Sequence, residues 1–330
     1  MYKRTGIIFL SAFLAAGLFS GCSNAPADPE AKVDKLSVVS TIFPPYDWVR
    51  EIAGTHAEDM ELTLLLDNGI DLHNYQPTAD DIVKISGCDL FIYVGGESDG
   101  WVEDALASAD NPDMQALNLM EVLGDAVKEE EVVEGMEAEE DHEDEDYEEE
   151  HPEYDEHVWL SLKNSAKLCT AIADCLGTAD QNNADAYKAN AEKYFDQLAA
   201  LDAEYQLMVN GARRKTVLFG DRFPFRYLAD DYGLDYYAAF VGCSAETEAS
   251  FETIAFLADK TNELSLPAVM VIDGSDQSIA KAVINNTADK NQKVLMLDSM
   301  QSVTGEEIGN GTTYLSVMEE NLKVLKEALN

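Results

Sequence analysis

Residues 183–210 read NADAYKANAEKYFDQLAALDAEYQLMVN. Seven apolar or aromatic residues recur there at alternating steps of four and three, which places them on one face of a helix: Tyr187, Ala191, Tyr194, Leu198, Leu201, Tyr205 and Met208. No Gly or Pro interrupts residues 184–210, so the pattern predicts one helix of about 40 Å at 1.5 Å per residue. The same stripe suits an ordinary core helix or a stiff bridge between two lobes.

Short apolar runs lie on both sides of this stretch and alternate with helical patterns, which favours parallel α/β structure. The runs are residues 36–43, 62–66 and 90–94 before it, and residues 216–219, 236–241, 268–272 and 294–297 after it. The sequence therefore predicts an α/β protein with two lobes, residues 36–182 and 214–330, each with a mainly parallel sheet flanked by helices. Residues 183–213 would be the rigid helix that joins the lobes. A length of 330 residues suits two domains.

The amino terminus has the pattern of a secretion signal. Lys3 and Arg4 precede an apolar run over residues 7–19, and small residues lead to Cys22. The run has 13 residues, whereas a helix that spans a bilayer needs about 20. We therefore expect a lipoprotein signal peptide over residues 1–22, lipidation of Cys22, a tether over residues 23–35, and a protein anchored on the extracellular face of the cell membrane.

Four cysteines follow Cys22, and an exported protein can keep disulfides. They are Cys88, Cys169, Cys175 and Cys243. Their pairing does not follow from the sequence. No two of them form a C-x-x-C motif, which argues against a thiolate zinc site or a redox motif.

The formal net charge is -42. Nucleic acids and anionic membrane surfaces would be repelled, so neither is expected as a partner. Cations are the natural counterpart of such a chain, although solubility alone would also explain the acidity.

The acidic segment, residues 129–156, contains 18 Asp or Glu and no Lys or Arg. It has too few apolar residues to order itself, and it interrupts the first lobe, so we expect a long disordered surface loop. His142 and His151 lie within it. The segment is either a solvated insertion without a role or a weak collector of divalent cations.

Two of the five histidines have informative contexts. His73 lies in residues 71–78, DLHNYQPT, a loop that leads into a helix capped by Thr78. His157 lies in residues 155–160, DEHVWL, where the acidic segment ends. A histidine taken by itself is more often a hydrogen-bonded polar residue than a metal ligand. His56 lies in a turn without other potential ligands nearby in the sequence, and we expect it to be a surface residue.

These two contexts resemble the substrate-binding lipoproteins of zinc and manganese ABC importers. The H-x-Y-x-P-T motif of that family matches residues 73–78, and its D-x-H-V-W-L motif matches residues 155–160. Further similarity lies in Tyr227-Leu228, Tyr232-Gly233-Leu234, Glu248-Ala249-Ser250 and Leu297-Asp298-Ser299. The resemblance extends from residue 36 to residue 330, and it implies a metal site in the cleft between the lobes.

The resemblance implies His73 and His157 as ligands from the first lobe and Asp298 as a ligand from the second. The family's remaining ligand position falls on Arg222, and a guanidinium cannot bind a cation. We therefore expect the neighbouring Asp221 to supply the fourth ligand. The alternative is a site with three protein ligands that is completed by water.

Two histidines with one or two carboxylates suit zinc and also manganese. A mixed nitrogen and oxygen site binds zinc more tightly, and zinc members of the family carry an acidic, His-rich loop, so zinc is the first expectation and manganese the alternative. The resemblance implies a monomer that delivers the ion to an ABC importer permease and that is not an enzyme. Two alternatives remain: a manganese or iron binding protein or adhesin of the same family, and a surface zinc hydrolase. The chain lacks H-E-x-x-H, which is typical of zinc hydrolases.

Overall fold

A computed structural model of the chain describes residues 35–137, 153–244 and 248–330. In these residues the chain forms two lobes around two parallel sheets, with a long helix between them, as the sequence predicts. Cys22, His142 and His151 lie outside the described residues, and so do residues 1–34. Within the described ranges no helix is long and apolar enough to cross a membrane.

The first lobe has four parallel strands in the order β2-β1-β3-β4. The strands are β1 (Leu36–Ser40), β2 (Met60–Leu64), β3 (Leu90–Tyr93) and β4 (Gln115–Asn118). The helices are α1 (Phe43–Ala53), α2 (Ala79–Gly87), α3 (Val102–Ala107), α4 (Leu119–Leu123) and α5 (Leu162–Ala179). Short 3₁₀ turns occupy Gly54–Asp59, Leu72–Asn74, Glu97–Asp99, Gly124–Ala126 and Val158–Leu160.

The linking helix, α6 (Ala184–Gly211), has 28 residues, and its apolar face is buried as predicted, except that Val209 takes the place of Met208. Each end is bonded to a different lobe. Asn190 Nδ2 donates to the carbonyl oxygen of Ile52 in α1 at 2.9 Å. Near the other end, Tyr205 Oη donates to the carbonyl oxygen of Met318 in the second lobe at 2.6 Å. The helix is therefore fixed to both lobes.

The second lobe repeats the arrangement of the first, with four parallel strands in the order β6-β5-β7-β8. The strands are β5 (Thr216–Phe223), β6 (Asp235–Val241), β7 (Ala268–Ile272) and β8 (Lys293–Leu297). The helices are α7 (Arg226–Tyr232), α8 (Phe251–Glu263), α9 (Ser278–Asn286), α10 (Gly305–Gly309) and α11 (Tyr314–Ala328). All five residues of β7 are buried, which explains its continuous apolar run.

The sequence reading differs from the structure at two places in the first lobe. The apolar run over residues 36–43 ends as a strand at Ser40, and α1 begins at Phe43. Pro44 and Pro45 explain this start, because proline is favoured in the first turn of a helix. The sequence gives no sign of β4, since its residues, QALN, include two amide side chains.

Both ends of the acidic segment are ordered, in contrast to the expected loop that is disordered throughout. Glu129 pairs with Tyr154 in an antiparallel bridge, and Glu137 pairs with Phe240 beside β6. The carboxylate of Glu137 also accepts the backbone N–H of Ser250 at 2.6 Å. The start of the segment therefore packs along the second lobe.

In the first sheet β2 and β3 flank β1, and in the second β6 and β7 flank β5, so the order of successive strands reverses its direction across each sheet at β1 and at β5. Ligands of parallel α/β sheets bind outside the carboxyl ends of the strands at such a switch point. His73 follows β2, Asp221 and Arg222 lie near the end of β5, and Asp298 follows β8. The fold therefore brings these residues to the facing edges of the two lobes.

Candidate metal centre

His73 is held in a loop whose shape comes from the residues around it. The carboxylate of Asp71 accepts the backbone N–H of His73 at 3.0 Å and caps the 3₁₀ turn Leu72–Asn74. Beyond the turn, Thr78 and Asp81 form a capping box at the start of α2, and Tyr75 Oη donates to Asp81 at 3.0 Å. The Tyr and Thr of this motif therefore fix the loop onto α2.

His157 is fully buried, just before the 3₁₀ turn Val158–Leu160. One carboxylate oxygen of Asp155 accepts the backbone N–H of His157 at 2.8 Å and lies 3.0 Å from its Nδ1. Two residues later, Trp159 Nε1 donates to the carbonyl oxygen of Ser299 in the second lobe at 2.8 Å. The second motif is therefore anchored to the opposite lobe.

The two histidines face each other through Nε2, and the two Nε2 atoms are 3.1 Å apart. With zinc–nitrogen bonds of about 2.0–2.1 Å, two ligands of a tetrahedral ion lie about 3.3 Å apart. Both Nδ1 atoms have other partners: Asp155 for His157, and Ser98 Oγ at 2.8 Å for His73. A proton on each Nδ1 leaves both Nε2 lone pairs free for one ion.

The pKa values of the two imidazoles shift in opposite directions. Burial, together with the nearby charge of His157, lowers the pKa of His73 to about 3. Burial also acts to lower the pKa of His157, but the carboxylate of Asp155 outweighs it and the pKa is raised. His73 is therefore held in the neutral form that binds a cation.

Cys243 joins the two histidines. His73, His157 and Cys243 each offer a ligand atom, and these atoms lie within 4.8 Å of one another. The absence of a C-x-x-C motif in the sequence argues against a thiolate zinc site, whereas the structure places the thiol of Cys243 close to both histidines. The signal that could have found Cys243 is its place two residues after the end of β6, since Asp298 lies likewise just beyond the end of its strand.

Arg222 stands where the resemblance places a ligand, and its guanidinium is engaged elsewhere. It forms an ion pair with Asp71, and its Nη1 donates to the carbonyl oxygen of Ser244 at 3.2 Å. A cavity of about 400 Å³ lies here between the lobes. Its lining includes Asp71, Asn74, Asp221, Arg222 and Asp273.

Asp221 and Asp298 lie apart from the cluster of His73, His157 and Cys243, which is the one group of potential metal ligands in the part of the chain that the structure describes. Asp221 accepts the backbone N–H of Arg222 at 3.0 Å, and burial raises its pKa. Asp298 accepts the backbone N–H of Met300 at 2.7 Å, and burial raises its pKa to about 7. Both remain predicted ligands.

The sequence model of one protein family, described as zinc-uptake complex component A, periplasmic (ZnuA), matches residues 38–328. The chain belongs to this family. The family description concerns metal uptake and names no catalytic activity.

Two curated relatives illustrate the similarity. The zinc-binding lipoprotein AdcA of Streptococcus pneumoniae serotype 4 (strain ATCC BAA-334 / TIGR4) is 31% identical over 322 residues, which is 97% of this chain and 60% of that protein. The chain thus spans about three fifths of that relative. The high-affinity zinc uptake system protein ZnuA of Bacillus subtilis (strain 168) is 28% identical over 330 residues, with 100% of this chain and 99% of that protein covered.

Two solved structures have the same fold. The Zn(II)-bound ZnuA-like domain of Streptococcus pneumoniae AdcA matches with a TM-score of 0.67 and 27% identity, over 89% of this chain and 99% of that one. The metal-dependent lipoprotein YcdH of Bacillus subtilis matches with a TM-score of 0.69 and 25% identity, over 89% and 99%.

Proposed function

We propose that this protein captures zinc outside the cell and delivers it to an ABC importer permease. The observation that carries the proposal is the separation of 3.1 Å between the Nε2 atoms of His73 and His157 in the cleft. Zinc is the cargo, and no chemical step is required of the protein. The proposal therefore excludes enzymatic activity.

Zinc is favoured over manganese by the donors and by the relatives. Two imidazoles bind zinc more tightly than manganese. The relatives from Streptococcus pneumoniae and Bacillus subtilis are named for zinc binding and zinc uptake. Manganese remains the alternative cargo, and a competition titration separates the two.

Capture and release follow from the two lobes. Ligands from opposite lobes enclose the ion, and α6, bonded to both lobes, limits how far they can move apart. Release at the permease then requires that the ligands of one lobe loosen. Asp298 and Asp221, the carboxylate ligands proposed from the second lobe, are the ones that would loosen together.

The test is metal analysis of the purified protein together with competitive zinc and manganese titrations. The wild type should bind one zinc ion, and the double variant His73→Ala/His157→Ala should lose high-affinity binding. His56→Ala is the matched control, because His56 packs edge-to-face against Tyr187 and belongs to no metal-ligand cluster of the described residues. Unchanged zinc affinity in the double variant would reject the proposal. If the wild type binds manganese more tightly than zinc, manganese is the cargo.

We further propose that lipidated Cys22 anchors the protein, as a monomer, at the outer face of the membrane. Cys22→Ser should release it into the medium with its zinc affinity unchanged. Zinc-limited growth should then slow, because the permease would no longer receive the ion at the membrane. Growth as fast as that of the wild type would count against delivery by an anchored protein.

The proposed role of His142 and His151 is to collect metal loosely near the site. Glu130, at the described start of the acidic segment, accepts the backbone N–H of Cys243 at 3.0 Å, so the segment begins beside the proposed site. Replacement of both histidines by alanine should slow zinc loading in stopped-flow experiments and leave the equilibrium affinity unchanged. An equal loading rate would leave the segment without this role.

A further inference from the structure

We propose that Cys243 binds the captured ion through its sulfur, as a third protein ligand beside His73 and His157. The inference rests on the proposed zinc capture and specifies its ligand set. It replaces the site of nitrogen and oxygen ligands alone with a mixed site of two imidazoles and one thiolate. A second-lobe carboxylate or a water would complete the tetrahedron.

The backbone of the second lobe brings Cys243 to the histidines. The residue before it, Gly242, lies so close to the ring of His157 that a Cβ there would be 3.1 Å from both Cε1 and Nδ1. It would also lie 3.0 Å from the carbonyl oxygen of Phe223. Only a glycine fits without displacing the ring, and the next residue, Cys243, offers its sulfur within 4.8 Å of a ring nitrogen of each histidine.

Hydrogen bonds hold Cys243 in this place. The carboxylate of Glu130 accepts the backbone N–H of Cys243 and also its thiol. The backbone N–H of Glu156 in turn donates to the sulfur. The sulfur is thus held between the start of the acidic segment and the residue next to His157.

The surroundings of the sulfur suit a cation. Burial and the nearby carboxylates of Asp155, Glu130 and Glu156 raise the pKa of the thiol. A bound dication acts in the opposite sense, since a coordinating thiol is deprotonated outright. The sulfur–metal bond forms as the S–H bond breaks, and the proton passes to the Glu130 carboxylate or to water.

A buried carboxylate oxygen beside the cluster favours a cation there. Glu156 Oε2 is buried and has no hydrogen-bond partner among the residues that the structure describes, although it lies 3.7 Å from Nδ1 of His73. The guanidinium of Arg222 is already engaged by Asp71 and by the carbonyl oxygen of Ser244. An ion held by the three ligands would offset this buried carboxylate.

Cobalt(II) tests the ligand directly, because a thiolate ligand adds a sulfur-to-cobalt charge-transfer band that imidazole and carboxylate ligands do not. The cobalt-loaded wild type should show the band, Cys243→Ser should lose it, and the control Cys175→Ser should keep it. Cys175 is likewise a half-buried free cysteine, on α5. In a zinc competition titration, the affinity of Cys243→Ser for zinc should fall by at least about 100-fold. Even the loss of a group that only orients a metal ligand lowers metal affinity by about 10- to 100-fold.

A second measurement needs no variant. X-ray absorption at the zinc edge of the loaded wild type should show one sulfur about 2.3 Å from the ion. If cobalt binds without the charge-transfer band and the zinc spectrum shows only nitrogen and oxygen neighbours, the thiolate is rejected while capture by the two histidines stands. If the wild type binds neither metal, the proposed function fails as well.

Discussion

The guanidinium of Arg222 forms an ion pair with the carboxylate of Asp71 and thereby joins the two lobes beside the histidine pair. The other oxygen of Asp71 accepts the backbone N–H of His73. Arg222 acts to lower the pKa of both His73 and His157, so its positive charge lies near the cation site. Asp71 therefore positions His73 and offsets this charge at the same time.

Asp71→Asn should weaken zinc binding about 10-fold, at the lower end of the effect of groups that orient metal ligands. The variant keeps an acceptor for the N–H of His73, but it leaves Arg222 unpaired. Loss of a charged hydrogen bond should also lower the free energy of unfolding by about 1.5–3 kcal/mol. Zinc competition and urea unfolding measure the two effects.

The double variant Asp71→Asn/Arg222→Gln is the control. It removes both charges, so it should recover part of the loss in both measurements. If the double variant loses as much as the single variants Asp71→Asn and Arg222→Gln lose together, the two residues are not coupled.

Asp155→Asn should weaken zinc binding by about 10- to 100-fold, because it removes the carboxylate that orients the ring of His157. Competition titration measures the loss. Asp202→Asn provides a matched substitution on α6, where the carboxylate accepts the hydroxyl of Tyr232 at 3.0 Å. Equal affinities in the two variants would show that Asp155 has no part in orienting the ligand.

The sequence predicts those parts of the molecule that depend on residues close to one another along the chain. The stripe of α6, the apolar strands and the Thr78 cap are local patterns, and all three are present. The motifs around His73 and His157 also identify the histidine pair. Cys243 could not be recognised in this way, because its partners lie 170 and 86 positions earlier in the chain (243 − 73 and 243 − 157). The path of the Arg222 side chain likewise depends on where the opposite lobe places Asp71.

Asp47, buried in α1, gives the stability of the fold a predictable dependence on pH. Its carboxylate accepts the backbone N–H of Tyr314 at 2.8 Å, and burial raises its pKa from 3.8 to about 6. The folded protein holds this proton more tightly than the unfolded chain. The resulting stabilisation is therefore complete below pH 3.8 and is lost as the pH rises through about 6.

The size of this effect is about 3 kcal/mol, at 1.36 kcal/mol for each pKa unit. Asp47→Asn resembles the protonated acid, so relative to the wild type it should become more stable by about this amount between pH 4 and pH 7. Urea unfolding at a series of pH values measures the difference. Glu103→Gln, which removes an exposed carboxylate from α3, is the control. A constant difference for Asp47→Asn would contradict the prediction.

Of the two predicted carboxylate ligands, Asp298 should matter more than Asp221. Each carboxylate accepts a backbone N–H, and Asp221 is also hydrogen-bonded by Ser275. Asp298 lies near the like-charged Asp273, and a dication would relieve this repulsion. Asp298→Asn should therefore weaken zinc binding at least about 10-fold, and Asp221→Asn by less, as measured by competition titration. The reverse order would make Asp221 the fourth ligand.

Cys243→Asp should change which metal the site prefers. Thiolate ligands select zinc, whereas carboxylates also suit manganese. An aspartate keeps the negative charge of a bound thiolate and replaces the soft sulfur with a hard oxygen. The ratio of zinc to manganese affinity should therefore fall by at least about 10-fold, or about 1.4 kcal/mol. Parallel titrations with the two metals measure this ratio, and Cys175→Asp, outside the cluster, should leave it unchanged. A ratio equal to that of the wild type would mean that the sulfur of Cys243 does not select the metal.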